Sequence, residues 1–176
     1  MEKERFEEVR RNVLESLRNV LVEKNKRYGN AALEPLNIFY SGMATSSICI
    51  RLDDKISRVR NSEVLRKNDM FDLLGYGVLL CLAENYFDTP EETDFESRVN
   101  HVIEQLNEEA EYCGFGKTVF QKTSFALYNL DKAIENIQIN TLADGELSRD
   151  HVVNFITNLV YYFIEEEIDN FEDLQD

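Results

Sequence analysis

The chain has 176 residues, a formal net charge of −15 and a pI near 4.6. That acidity argues against nucleic acid as a general partner, because a phosphate backbone needs a cationic footprint. No apolar run approaches the ~18 residues of a membrane span. With two prolines and seven glycines, the length suits one helical domain, or one with an appendage, around a buried core.

Charge is unevenly spread. Residues 1–67 hold 14 Lys and Arg against 10 Asp and Glu, a net of +4, whereas residues 68–176 hold 5 against 24, a net of −19. The N-terminal third can therefore still attract a small anion. The opening "MEKERFEEVRRNVLESLRNV" is charged and periodic, unlike a signal peptide. Cys49, Cys81 and Cys113 stand among apolar neighbours without a CxxC or Cys/His cluster, so they read as buried thiols of a reducing cytoplasm.

Helical periodicity runs through the sequence. Phe6, Val9, Val13, Leu17, Val20 and Lys24 follow one face, and "KRYGN" with Gly29 and Asn30 stops the first helix. "AALEPLNIFYSGMATSS" is a loop. Ile48, Leu52, Ile56 and Val59 give a second helix its apolar face, although "SICI" alone could be a strand. Met70, Leu73, Leu74, Gly77, Val78 and Cys81 give the third.

"TPEETDFE" breaks the chain, with Thr93 and Glu96 spaced as a capping box. A fourth helix follows from about Phe95 to Tyr112 and closes at "CGFGK"; a fifth is expected over "TSFALYNLDKAIENI", and a sixth from Ser148 to about Ile168. Residues 170–176 read as a frayed tail. The expectation is an all-α protein of six helices without internal repeats.

The second and third helices carry the chemistry. Arg51, Asp54, Lys55 and Arg58 form one stripe with Asp53 beside it, and Asp69, Asp72 and Tyr76 line up on the third helix. Antiparallel packing would bring Asp54, Asp69 and Asp72 together with Lys55 and Arg58. Converging carboxylates repel, and a divalent cation relieves that; Mg²⁺ is usually held by one or two carboxylates plus substrate phosphates. The alternative is ordinary surface ion pairing worth ~0–1 kcal/mol per pair. Gly75 and Gly77 each cost ~1 kcal/mol inside a helix, which suggests a close approach between helices there. His101 and His151 stand apart and read as surface or cap residues.

"KNKRYGNAALEPLNIF", "IRLDDKISRVRN" and "DMFDLLGYGVLL", over about residues 20–82, together resemble the phage and bacterial family called nucleotide modification associated domain 1. That family is itself similar to the MazG-like all-α nucleoside triphosphate pyrophosphatases. The resemblance implies a MazG-like helical core over residues 1–88 and a helical extension over 89–176 that packs on it or forms an oligomer interface. It also implies Mg²⁺ as cofactor, bound by Asp53, Asp54, Asp69 and Asp72, with Asp54, Asp69 and Asp72 catalytic. Lys24, Tyr28, Asn30, Lys55, Arg58 and Tyr76 would bind the nucleotide.

The sequence departs from the superfamily's pattern of Glu-x-x-Glu followed by Glu-x-x-Asp. Asp69 and Asp72 take the second pair, but in "DDKIS" only one member of the first pair is acidic, Asp53 or Asp54, with Ser57 or Lys55 at the partner position. Two functions are therefore expected in turn: a Mg²⁺-dependent nucleoside triphosphate pyrophosphohydrolase of phage or prophage, or a non-catalytic protein that sequesters or senses a nucleotide, as in phage counter-defence. A third, a purely structural or protein-binding acidic module, rests on the acidic C-terminal part. Either nucleotide function places the protein in the cytoplasm, the host's if phage-encoded. Residues 152–168 are apolar on most of their circumference, which points to a homodimer or higher oligomer through the last helix, the alternative being that helices four and five enclose it within one chain.

Overall fold

The computed structural model describes residues 1–38, 42–90, 93–110 and 125–168. Among these residues the protein is all-α, with six helices and no strand: α1 Lys3–Tyr28, α2 Ala44–Asn61, α3 Lys67–Ala83, α4 Phe95–Glu109, α5 Phe125–Asp144 and α6 Arg149–Glu165. "SICI" is helical, as its downstream spacing requires. The fourth helix ends before Tyr112, and the fifth runs on past Ile137 to Asp144, where Gly145 (φ +72°) returns its amide to Thr141 O as a left-handed stop. The closing "CGFGK", Cys113 and the tail 170–176 lie outside the described residues. No helix among the described residues is long and apolar enough to cross a membrane.

The chain divides into two compact units, Leu17–Glu104 and Met1–Ser16 with Gln105–Asp176. In the first, α2 and α3 pack against each other. Thr45, in the first turn of α2, hydrogen-bonds Glu84 just past α3, while Lys55 further along α2 reaches Asp69 near the start of α3. The order reverses, so the pair is antiparallel. Ile48 and Leu52 bury one side of α2; Met70, Leu73, Leu74, Val78 and Cys81 bury the matching side of α3. Arg18 on α1 fastens α4 through Asn100 (2.6 Å) and Glu96 (2.6 Å), and Arg98 on α4 donates to Leu82 O at the end of α3 (2.7 Å). His101 has a structural place, 2.9 Å from Phe87 O.

The cap of α4 is Asp94 and not Thr93. Its carboxylate accepts the Ser97 amide (3.1 Å) and the Ser97 hydroxyl (2.7 Å), which holds the Asp94 pKa below the usual range. Three residues from cap to bonded amide is the geometry of an N-cap, and the aspartate sits one residue nearer the helix than the threonine.

In the second unit α5 and α6 pack together. The Ala126 amide at the start of α5 donates to Glu165 at the end of α6 (2.9 Å), so a carboxylate meets an orphan helix N–H. On α6, Val152, Val153, Phe155, Ile156, Leu159, Val160, Phe163 and Ile164 are all buried in the single chain, and Phe6 lies 6.3 Å from the Tyr161 ring. The apolar surplus that pointed to self-association through α6 is thus covered within one copy. It gives no reason for an oligomer on this helix.

Candidate nucleotide-binding cleft

An open cleft of about 250 Å³ lies in the unit Leu17–Glu104. Two helical faces make its walls. Leu21, Lys24, Asn25 and Tyr28 follow an i, i+3, i+4, i+7 row on α1, and Asp72, Gly75, Tyr76 and Leu79 follow the same row on α3. Phe95, the first residue of α4, and the turn Gly29–Ala32 complete the lining.

The turn is stitched locally. Gly29 takes φ +64°, a conformation that a side chain disfavours, and ends α1. Asn25 Nδ2 donates to Gly29 O (3.2 Å), Asn30 Nδ2 donates to Glu34 (2.7 Å), and the Leu33 and Glu34 amides return to Asn30 O at 3.0 and 2.8 Å. These bonds hold Tyr28 and Asn30 at the rim; Tyr28 is 71% exposed. Tyr76 and Phe95 are half-buried.

Beneath the rim lies a charge cluster. Lys55 Nζ is 2.7 Å from Asp72 Oδ2 and 3.1 Å from Asp69 Oδ1, with side-chain exposures of 17%, 33% and 15% respectively. Burial pulls the Lys55 pKa down, but the hydrogen bonds and charges of Asp72 and Asp69 outweigh it and hold the ammonium above its ordinary value. The other oxygen of Asp72 faces Lys24 at 3.8 Å, beyond hydrogen-bond reach. Lys24 keeps its donors; Lys55 has used two of its three.

Of the residues the sequence singled out, the structure gathers Lys24, Tyr28, Asn30, Asp72 and Tyr76 at the cleft, with Lys55 and Asp69 behind Asp72. It does not bring in the rest. Asp54 pairs along its own helix with Arg58 (2.9 Å), both well exposed, and Asp53 is exposed as well. Among the described residues no group of three or more His, Cys, Asp or Glu side chains converges as a metal site. As a home for Mg²⁺ the fit is partial: two carboxylates are enough when phosphates supply further ligands, but both carboxylates here engage Lys55.

Asn25 and Phe95 were not anticipated from the sequence. Asn25 could have been, since it falls on the Leu21–Tyr28 row. Phe95 is brought in by the Arg18 contacts to α4, which no local pattern shows.

Fold and cleft together define an all-α protein with an open cleft walled by two helices. Compared with protein families, curated proteins and solved structures, the chain finds no match in any of the three.

Proposed function

We propose that this protein binds a nucleotide in the cleft and holds it without cleaving it. The carrying observation is that Lys24, with its donors free, stands beside Tyr28 and Tyr76 in a cleft whose neighbouring carboxylates already engage Lys55. Aromatic rings offer a stacking platform for a base, worth about 1–3 kcal/mol per base in nucleic-acid binders. The amides of Asn25 and Asn30 offer polar groups to a base or sugar edge, and Lys24 a cation for phosphate. The three sequence blocks that resemble the nucleotide modification associated family also support the reading.

Pyrophosphohydrolysis is the second reading, favoured by the i, i+3 placement of Asp69 and Asp72 on α3. Those two side chains would then hold Mg²⁺, and Lys55 would have to leave them. The ion would supply charge neutralisation and an activated water.

Incubation with a panel of nucleoside mono- and triphosphates and Mg²⁺ separates the two. Intact nucleotide recovered after denaturing the washed protein supports retention. Release of nucleoside monophosphate and pyrophosphate, lost in Asp72→Asn, replaces it with hydrolysis. Neither outcome from a folded protein would reject nucleotide as the ligand.

A further inference from the structure

Resting on the nucleotide reading, we infer that the cleft selects a nucleotide with a single phosphate over the triphosphate. The inference comes from the charges that face the ligand. Among the described residues lining the cleft, the charged side chains are Lys24 and Asp72, one of each sign. Lys24 stands too far from Asp72 to hydrogen-bond it, so its ammonium can turn to a phosphate oxygen without breaking a bond. Lys55 does not line the cleft. It is 17% exposed and hydrogen-bonded to both aspartates, and withdrawing it would leave two carboxylates facing each other.

Outside the lining, Arg27 bonds Glu23 at 2.9 Å and Arg58 bonds Asp54 at 2.9 Å. One phosphate carries about −1.5 to −2 charges near neutrality, and one lysine with free donors answers much of that. Further phosphates would find no second free cation in the described lining and would meet Asp72. Like charge at short range in a half-enclosed site opposes them. A triphosphate site is normally built the other way, with several cations or a metal converging on the β- and γ-phosphates.

Calorimetry on the full chain in EDTA tests this, with the nucleoside, monophosphate and triphosphate of adenosine, guanosine, cytidine, uridine and thymidine. For whichever base binds, the monophosphate is expected to bind at least about tenfold tighter than the triphosphate, the size of one charge-assisted hydrogen bond. Added Mg²⁺ is expected to leave the monophosphate affinity within about twofold. Lys24→Gln should weaken the monophosphate about tenfold and the nucleoside by less. A triphosphate that binds as tightly as the monophosphate in EDTA overturns the inference while leaving a nucleotide site. So does a Lys24→Gln protein in which nucleoside and monophosphate lose equally. Failure of every compound to bind folded protein overturns the inference together with the nucleotide reading.

Discussion

Lys55 and Asp72 face each other across the α2–α3 interface at 2.7 Å, and Asp69 adds a second carboxylate at 3.1 Å from the same ammonium. This is a cation held by two anions on a neighbouring helix, mostly out of water. Removing the cation leaves two partly buried carboxylates without their counter-charge, which in buried pairs costs about 3–5 kcal/mol. Lys55→Met is therefore expected to destabilise the protein by about 1–2 kcal/mol, between the values for exposed and buried pairs, because all three side chains are half-buried. Urea unfolding measures it. Adding Asp69→Leu should recover part of the loss, since one of the stranded charges goes; a double-mutant cycle with no coupling would show the contact to be energetically idle.

The same contact sets an alkaline limit. The folded-state pKa of Lys55 lies above its unfolded value of about 10.4, so the stabilisation is complete below that pH and disappears as pH rises through the folded value. Tyr86, pushed up by burial and then by Glu84, loses stability in the same direction. The difference between wild type and Lys55→Met isolates the lysine. The two urea midpoints should converge as pH rises above about 10.4. A constant gap above that pH would place the cost of the mutation in packing.

Helix positions were legible because apolar residues recur at helical spacing, and the covering of α6 was not, because a single helix does not show what packs on it. On α2 the stripe Arg51, Asp54, Lys55 and Arg58 treated four charges alike. Yet Lys55 lies on the i, i+4, i+7 row of Ile48 and Leu52, both buried, and so turns inward toward α3. Asp54 and Arg58 fall off that row and pair in solvent. The row could have been read from the sequence; the closure by Phe95 and the choice of Asp94 over Thr93 as cap depend on where the chain enters α4.

That division predicts which helix-two residues matter to a ligand. Arg58→Ala and Asp54→Ala remove an exposed i, i+4 pair worth at most about 0.5 kcal/mol and touch no cleft wall, so nucleotide affinity should stay within about twofold. Tyr28→Ala should behave oppositely. It removes a ring that is 71% exposed and so leaves folding nearly unchanged, but it takes away a stacking surface and should weaken binding by about tenfold. Fluorescence or calorimetric titration of the three proteins checks both, and equal losses in all three would move the ligand away from the cleft.

Gly29 and Gly75 both line the cleft, and their substitution by alanine should move stability in opposite directions. Gly29 has open space where an alanine methyl would stand but a φ of +64°, so the penalty is conformational, about 1 kcal/mol. Gly75 sits inside α3 with ordinary helical geometry. A methyl there would meet Leu17 Cδ1 and Leu21 Cδ2 at 3.9 Å, a normal van der Waals distance, so the close approach inferred from the sequence does not require glycine at this position. Replacing a mid-helix glycine stabilises by up to about 1 kcal/mol. Thermal melts should accordingly show Gly29→Ala below wild type and Gly75→Ala at or above it. Gly75 stands between Asp72 and Tyr76 on the cleft wall, so the variant also tests whether a ligand contacts that wall. A Gly75→Ala protein that is more stable but binds the nucleotide less tightly would show that this glycine serves the cleft; unchanged affinity would show that the ligand lies nearer α1 and the Gly29 turn.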